Sequence, residues 1–134
     1  MALRSDVVGS LLRSPTLLEA RSAAESGRLS APEFKRIEDR EVDEAVRLQE
    51  SAGLDVVTDG ELRRYAFFGH IVEALAGFDK YGGWAIPFRD EQGEALVFRR
   101  PVVVEKLAWR RSMCGEEFAY LRARATKATK VTLI

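Results

Sequence analysis

The sequence predicts an α/β fold. Apolar, β-branched segments alternate with segments of helical periodicity, an order typical of parallel β/α architecture. The last segment, residues 130–134, has the pattern of a strand and no helix follows it. With 134 residues, the chain is far shorter than the ~250 residues that a (β/α)8 barrel needs. We therefore expect one domain, residues 1–134, that forms the N-terminal part of a TIM (β/α)8 barrel, from its first to about its third strand, and is incomplete as a barrel.

The first part of the chain is predicted to contain a strand, two helices and a second strand, in that order. The first strand lies around residues 7–8. Ser14 is the expected N-cap of the helix, and Pro15 stands at its first position, where the missing N–H does no harm. This helix should end at Gly27. The later strand, residues 54–58, is apolar enough to be buried on both faces of a parallel sheet.

A capping box begins the second helix, because Ser30 and Glu33 can satisfy each other's terminal N–H groups. Gly53 is expected to end it in the left-handed conformation. The three- to four-residue spacing of apolar residues predicts its buried face, which consists of Phe34, Ile37, Ala45, Leu48 and Ala52.

The second half of the chain adds an inserted hairpin near residues 84–99. Two β-patterned segments flank an acidic, glycine-containing turn there, as in antiparallel hairpins. The predicted elements are a helix at 65–75, a loop at 77–83, hairpin strands at 84–89 and 94–99 around the turn 90–93, a strand at 101–107, a helix at 116–124 and a strand at 130–134.

Polar residues follow two of the predicted strands at their carboxyl ends, where open α/β sheets and barrels bind ligands. Gly9 and Ser10 follow the first strand. The second strand ends in the segment T-D-G-E-L-R-R. We therefore expect the two strand ends to form two edges of one site. The residues of the second edge are Asp59, Glu61, Arg63 and Arg64.

Asp59 is expected to bond backbone N–H groups in its own turn. Arg63 and Arg64 could pair with Asp59 or Glu61 or lie on the surface, and the sequence leaves this open. For Ser10 the alternative to binding is helix capping. For Glu61 the alternative is a solvated turn carboxylate or a charge at a helix N-terminus.

The segments V-V-G-S-L-L-R, S-A-P-E-F and G-L-D-V-V-T-D-G-E-L-R-R, followed by R-R-P-V-V-V-E-K-L-A-W and K-V-T-L, resemble the cobalamin-independent methionine synthase family. The similarity is to single-barrel relatives of its C-terminal catalytic domain, and it covers only the N-terminal portion of that barrel. Val7 and Val8 stand where many relatives carry a histidine.

The resemblance implies a TIM barrel that transfers a methyl group from a folate to homocysteine, whose thiolate is held on zinc, while related members transfer other alkyl groups to thiols. It implies that Gly9 and Ser10 contact the carboxylate of the amino-acid substrate and that Glu61 accepts hydrogen bonds from its ammonium group. It places the zinc ligands of the family on later strands. Zinc is therefore expected in the full barrel and not on this chain alone, and no catalytic residue is assigned here.

Composition argues against several other functions. Basic and acidic residues number 21 each, so no overall field favours nucleic acid or an anionic membrane. The basic cluster Arg99, Arg100, Lys106, Arg110 and Arg111 is interrupted by apolar residues and belongs to no known binding motif. We expect no membrane span and no signal peptide, hence a cytoplasmic protein.

A metal site built from this chain is not expected. The only cysteine is Cys114 and the only histidine is His70, and we expect an ordinary thiol and a surface imidazole. Trp84, Phe88, Phe98 and Trp109 are expected in core or hairpin packing.

Three functional hypotheses remain open at this point. The first is the N-terminal part of a methionine-synthase-like transferase, inactive alone. The second is a non-enzymatic module that self-associates to cover its sheet edges. The third is a subunit that a second chain with the zinc ligands completes in trans.

Overall fold

The computed structural model describes residues 4–89, 91, 93 and 95–133, so the predicted turn at 90–93 and the final residue 134 lie partly or wholly outside the described residues. The fold is mixed α/β, as predicted. The helices are α1 (Pro15–Glu25), α2 (Ala31–Ser51), α3 (Gly69–Ala74) and α4 (Gly115–Arg124). The strands are β1 (Val56–Val57), β2 (Leu75–Asp79), β3 (Ala85–Arg89), β4 (Ala95–Arg99), β5 (Val102–Trp109) and β6 (Ala128–Thr129).

The chain forms two compact units, and Phe68–Met113 is the second of them, inserted in sequence between two segments of the first. In the first unit, α2 packs against β1, and α1 and α4 pack against α2. The buried apolar core of this unit consists of Leu17, Val42, Ala45, Val46, Val57, Leu62 and Leu121.

Parallel pairing centres on β1. Its two residues pair in parallel with β6, and Val56 also forms an isolated parallel bridge with Asp6. The prediction that residues 7–8 form a strand is wrong, because pairing stops at Asp6 and the Val7 carbonyl accepts a hydrogen bond from Lys130 Nζ at 2.7 Å.

The predicted final strand, residues 130–134, is also misplaced, since pairing ends at Thr129 and residues 130–133 are not in a strand. The physical reason is that the Thr132 carbonyl accepts from Arg64 Nη2 at 3.1 Å.

The start of α2 is as predicted, with both hydrogen bonds of the capping box between Ser30 and Glu33. Its predicted buried face is partly wrong. Leu48 is 62% exposed and Ala52 is exposed, whereas Val42, Val46 and the polar Gln49 face the core with Ala45. The polar Gln49 therefore lies on the buried face of α2, where the sequence pattern predicted only apolar side chains.

The second unit differs most from the prediction. The predicted helix at 65–75 is reduced to α3, and the predicted loop at 77–83 contains most of β2, which pairs antiparallel with β5 across a register shift between Ala76 and Phe78. Gly77 permits this pairing, because a Cβ there would lie 2.8 Å from the Glu105 carbonyl oxygen.

The predicted hairpin is confirmed as the antiparallel pair β3–β4, but its surroundings are not as expected. Trp84 and Trp109 are 86% and 67% exposed, and Phe88 is 52% exposed. Only Phe98 packs as an aromatic pair, edge to face with Phe68 at 6.0 Å between ring centroids. His70, expected at the surface, is fully buried in α3.

Among the described residues, no helix is both long enough and apolar enough to cross a membrane.

Candidate functional site

The turn that follows β1 has an unusual backbone conformation. Gly60 and Glu61 both have positive φ, +66° and +56°, in the left-handed region that side chains rarely adopt. Glu61 is the one non-glycine residue with positive φ in the described part of the chain. The Thr58 hydroxyl accepts from Gly60 N at 3.0 Å, and Asp59 Oδ1 accepts from Glu61 N at 3.0 Å. Strained residues held in this way cluster at functional sites.

The Glu61 carboxylate joins three segments that are far apart in sequence. The Ser10 hydroxyl donates to Oε2, and the Thr132 hydroxyl donates to Oε1 at 2.5 Å. The Leu11 N–H donates to the Gly60 carbonyl at 3.0 Å, which holds the Gly9–Ser10 strand end against the turn. The two predicted edges therefore meet, as the sequence indicated.

Arg64 supports the carboxylate from the protein interior. Its side chain is 1% exposed, and its Nη1 lies 3.6 Å from Glu61 Oε1. Nη2 donates to Glu117 Oε2 at 3.1 Å and to the Thr132 carbonyl. Because Glu117 lies in α4 and Thr132 follows β6, the guanidinium links the turn after β1 to both of these segments.

Arg63 turns away from this cluster. It donates to Asp39 Oδ1 at 2.6 Å and its guanidinium lies over the Tyr120 ring at 4.3 Å. Of the two open possibilities for these arginines, pairing with Glu61 therefore holds for Arg64 alone. Arg63 instead ties the turn to α2.

Three contributors were not among the sequence candidates. Thr132 and Glu117 lie more than fifty residues from the turn, and nothing local distinguishes them from surface residues. Arg13 donates to the Glu61 carbonyl at 3.0 Å and to the Arg64 carbonyl at 2.6 Å. A signal for Arg13 existed, since it closes the segment V-V-G-S-L-L-R.

Glu61 is held as a carboxylate. Burial alone would raise its pKa, but the hydrogen bonds from Ser10 and Thr132 and the positive charges of Arg64 and Arg13 outweigh burial and lower the pKa below its ordinary value. An ionised, largely buried carboxylate beside the exposed Ser10 suits a cationic ligand group.

The described residues do not suit a zinc ion. No group of three or more His, Cys, Asp or Glu side chains among them could hold a metal. The Cys114 thiol lies 3.8 Å from Arg64 Nη2, beside a fixed positive charge that would oppose a metal cation. We therefore assign this cluster no metal-dependent step.

Comparison with known proteins shows which family profile and which sequences this chain resembles. The sequence profile of the family described as "Cobalamin-independent synthase, Catalytic domain" matches residues 3–132. Protein YxjH of Bacillus subtilis is 42% identical over 78 residues, which are 58% of this chain and 21% of YxjH. A methionine synthase of Sulfurisphaera tokodaii is 31% identical over 135 aligned residues, 98% of this chain and 37% of that enzyme.

Among solved structures, a B12-independent methionine synthase of a Shewanella species, determined in complex with selenomethionine, superposes with a TM-score of 0.66 and 21% identity. The superposition covers 95% of this chain and 36% of that structure. The chain thus has the fold of part of that protein and spans about a fifth to somewhat over a third of the length of these relatives.

Proposed function

Because the chain belongs to the family of cobalamin-independent synthase catalytic domains, we propose that it forms the N-terminal part of a TIM-barrel methyl- or alkyltransferase and carries the amino-acid-binding end of the active site. The substrate is an amino-acid thiol such as homocysteine. The zinc ligands of such an enzyme would come from residues outside this chain, either the rest of a longer barrel or a complementing chain. On this proposal the chain binds and orients the substrate but does not catalyse the transfer alone.

The contact between Ser10 and Glu61 carries this proposal. An amino acid is a zwitterion, so its site needs hydrogen-bond donors for one end and a carboxylate for the other. The turn at Gly9 and Ser10 offers a hydroxyl and backbone N–H groups, and Glu61 offers the carboxylate. Charge-assisted hydrogen bonds of this kind are roughly twice as strong as neutral ones.

In the free protein Ser10 occupies a position on Glu61 that the ligand would take. Ser10 is exposed, so its hydroxyl can turn toward the α-carboxylate of an incoming amino acid. The ammonium group then replaces the hydroxyl as the donor to Glu61 Oε2. Thr132 and Arg64 keep Oε1 in place during this exchange, so the carboxylate need not reorganise.

Calorimetric titration with methionine, the amino acid that the proposed methyl transfer would form from homocysteine, tests the proposal directly. We expect Glu61→Gln to weaken binding about tenfold or more, because it removes the negative charge that faces the ammonium group. Glu44→Gln is the control, since Glu44 is an exposed residue of α2 that pairs only with Arg47 among the contacts described. Equal affinities of the wild-type chain and Glu61→Gln, or no binding by either, would refute the proposal.

The self-associating module is the second candidate, and the exposure of β5 favours it. Among the residues that the structure describes, this strand pairs with β2 alone. All eight of its residues are exposed, and Trp109 at its end is 67% exposed. Open strand edges of this length promote pairing with other chains. Light scattering over a range of concentrations would reveal a discrete oligomer, and Val104→Lys should dissociate it. A concentration-independent monomer would exclude this candidate.

A further inference from the structure

We infer that Asp59 is a second carboxylate contact for the ammonium group that Glu61 is proposed to bind. The inference rests on the proposed function and adds a residue to it. It concerns one oxygen atom, Asp59 Oδ2, which accepts none of the hydrogen bonds of the turn.

Asp59 is 2% exposed, and its two oxygens differ. Oδ1 accepts from Glu61 N at 3.0 Å. Oδ2 is buried and has no hydrogen-bond partner in the described part of the chain. A buried polar atom without a partner is costly, so such an atom in a native protein needs an explanation, for example a ligand, ion or water that binds there. Because both oxygens belong to one carboxylate, Oδ2 lies at the same end of the turn as the Glu61 backbone.

The charges of the cluster indicate which kind of ligand group suits it. Asp59, Glu61 and Glu117 are buried acids, at 2%, 5% and 7% exposure. The cations near them are Arg64, which pairs with both glutamates, and Arg13. Arg64 therefore meets the two glutamates, whereas no ion pair among the described residues includes Asp59, and a buried carboxylate without a cation is costly.

A primary ammonium group suits Asp59 and Glu61 in charge and in hydrogen bonding. It carries one positive charge and three N–H donors. Glu61 Oε2 and Asp59 Oδ2 would each accept one, and the third would remain for water or for another part of the site. The local geometry alone would not require Asp59 to be an acid, because asparagine makes the same turn hydrogen bond through its own Oδ1.

The first test compares ligands with and without the ammonium group. Asp59→Asn should weaken binding of methionine and of 3-(methylthio)propylamine about tenfold each, and should leave binding of 4-(methylthio)butanoate, which has no amine, unchanged. Asp79→Asn is the matched control, because Asp79 makes the same kind of turn hydrogen bond, to Tyr81 N at 2.9 Å, but is exposed. An equal loss for all three ligands, or no loss, would overturn the inference.

The second test needs no ligand. If Asp59 serves binding, removing its buried charge should leave the urea midpoint of the free chain unchanged or raise it, whereas a loss of stability would show that the charge serves the fold and would overturn the inference. The two proposals fail separately. If Glu61→Gln weakens methionine binding and Asp59→Asn does not, only the role of Asp59 is refuted; if neither does, both are.

Discussion

The Gln49 side chain of α2 pairs with the backbone of Thr58 through both of its amide atoms. Its Oε1 accepts from Thr58 N at 2.9 Å, and its Nε2 donates to the Thr58 carbonyl at 2.8 Å. Thr58 directly follows β1 and is 4% exposed, so water cannot satisfy these groups. The amide therefore pairs with the backbone as a neighbouring strand would, at the residue where the turn that carries Glu61 begins.

Gln49→Met should destabilise the chain by about 2–6 kcal/mol, because two buried backbone groups lose their partners at about 1–3 kcal/mol each. Urea unfolding followed by circular dichroism would measure the change. Glu44→Met, on the exposed face of the same helix, should cost less than about 1 kcal/mol. A similar loss in both variants would mean that helix propensity, and not the Thr58 pairing, determines the result.

The pairing of Gln49 with Thr58 also shows which features of α2 the sequence could not predict. Apolar periodicity predicted α2, its capping box and its length correctly, because these depend on residues close together in the chain. It placed Leu48 and Ala52 on the buried face and missed Gln49, since the benefit of a buried amide depends on a backbone position nine residues away that only the fold brings near.

The residues of the candidate site also fall into two groups, those that could be proposed from the sequence and those that could not. Gly9, Ser10, Asp59 and Glu61 could be proposed from sequence because each closes a predicted strand, and the structure brings these strand ends together. Thr132 and Glu117 could not, because their contacts follow from the packing of α4 and β6. Antiparallel pairing of β2 was missed for a related reason: Gly77 indicated a loop, whereas in the fold it permits close approach to β5.

Gly60→Ala should be more destabilising than Gly53→Ala. Both glycines have positive φ, +66° and +79°, so both substitutions pay for a left-handed alanine, at about 1–2 kcal/mol. Only at Gly60 would the new Cβ meet other atoms, 2.9 Å from Leu11 Cδ1 and 3.1 Å from Leu11 Cβ. The difference between the two urea midpoints measures this contact, and it should shrink when both variants are made in a Leu11→Ala background. Equal losses for the two glycines would contradict the predicted clash.

Breaking the buried pair between Arg64 and Glu117 should cost about 3–5 kcal/mol, since Arg64→Met leaves both glutamates buried without their main cation. Glu117→Gln keeps a hydrogen-bond acceptor for the guanidinium and should cost less. The double variant Arg64→Met/Glu117→Gln should recover part of the loss, because it removes both charges together. A double-mutant cycle by chemical denaturation measures the coupling, and purely additive losses would show that the two residues act independently.

Acid should remove the stabilising contribution of Glu61. Its pKa in the folded chain lies below the ordinary value of 4.5, because the hydrogen bonds from Ser10 and Thr132 and the charges of Arg64 and Arg13 outweigh its burial. The contribution is therefore fully present above about pH 4.5 and is lost as the pH falls through the lowered pKa.

Glu61→Gln lacks this titration but keeps the other carboxyls with lowered pKa, such as Glu33 and Asp55. The difference in unfolding free energy between the wild-type chain and Glu61→Gln should thus be largest near neutral pH and should shrink below about pH 4.5. Urea titrations at several pH values would measure it. A difference that stays constant with pH would mean that Glu61 titrates alike in the folded and unfolded chain, and would remove the electrostatic basis for assigning it the ammonium contact.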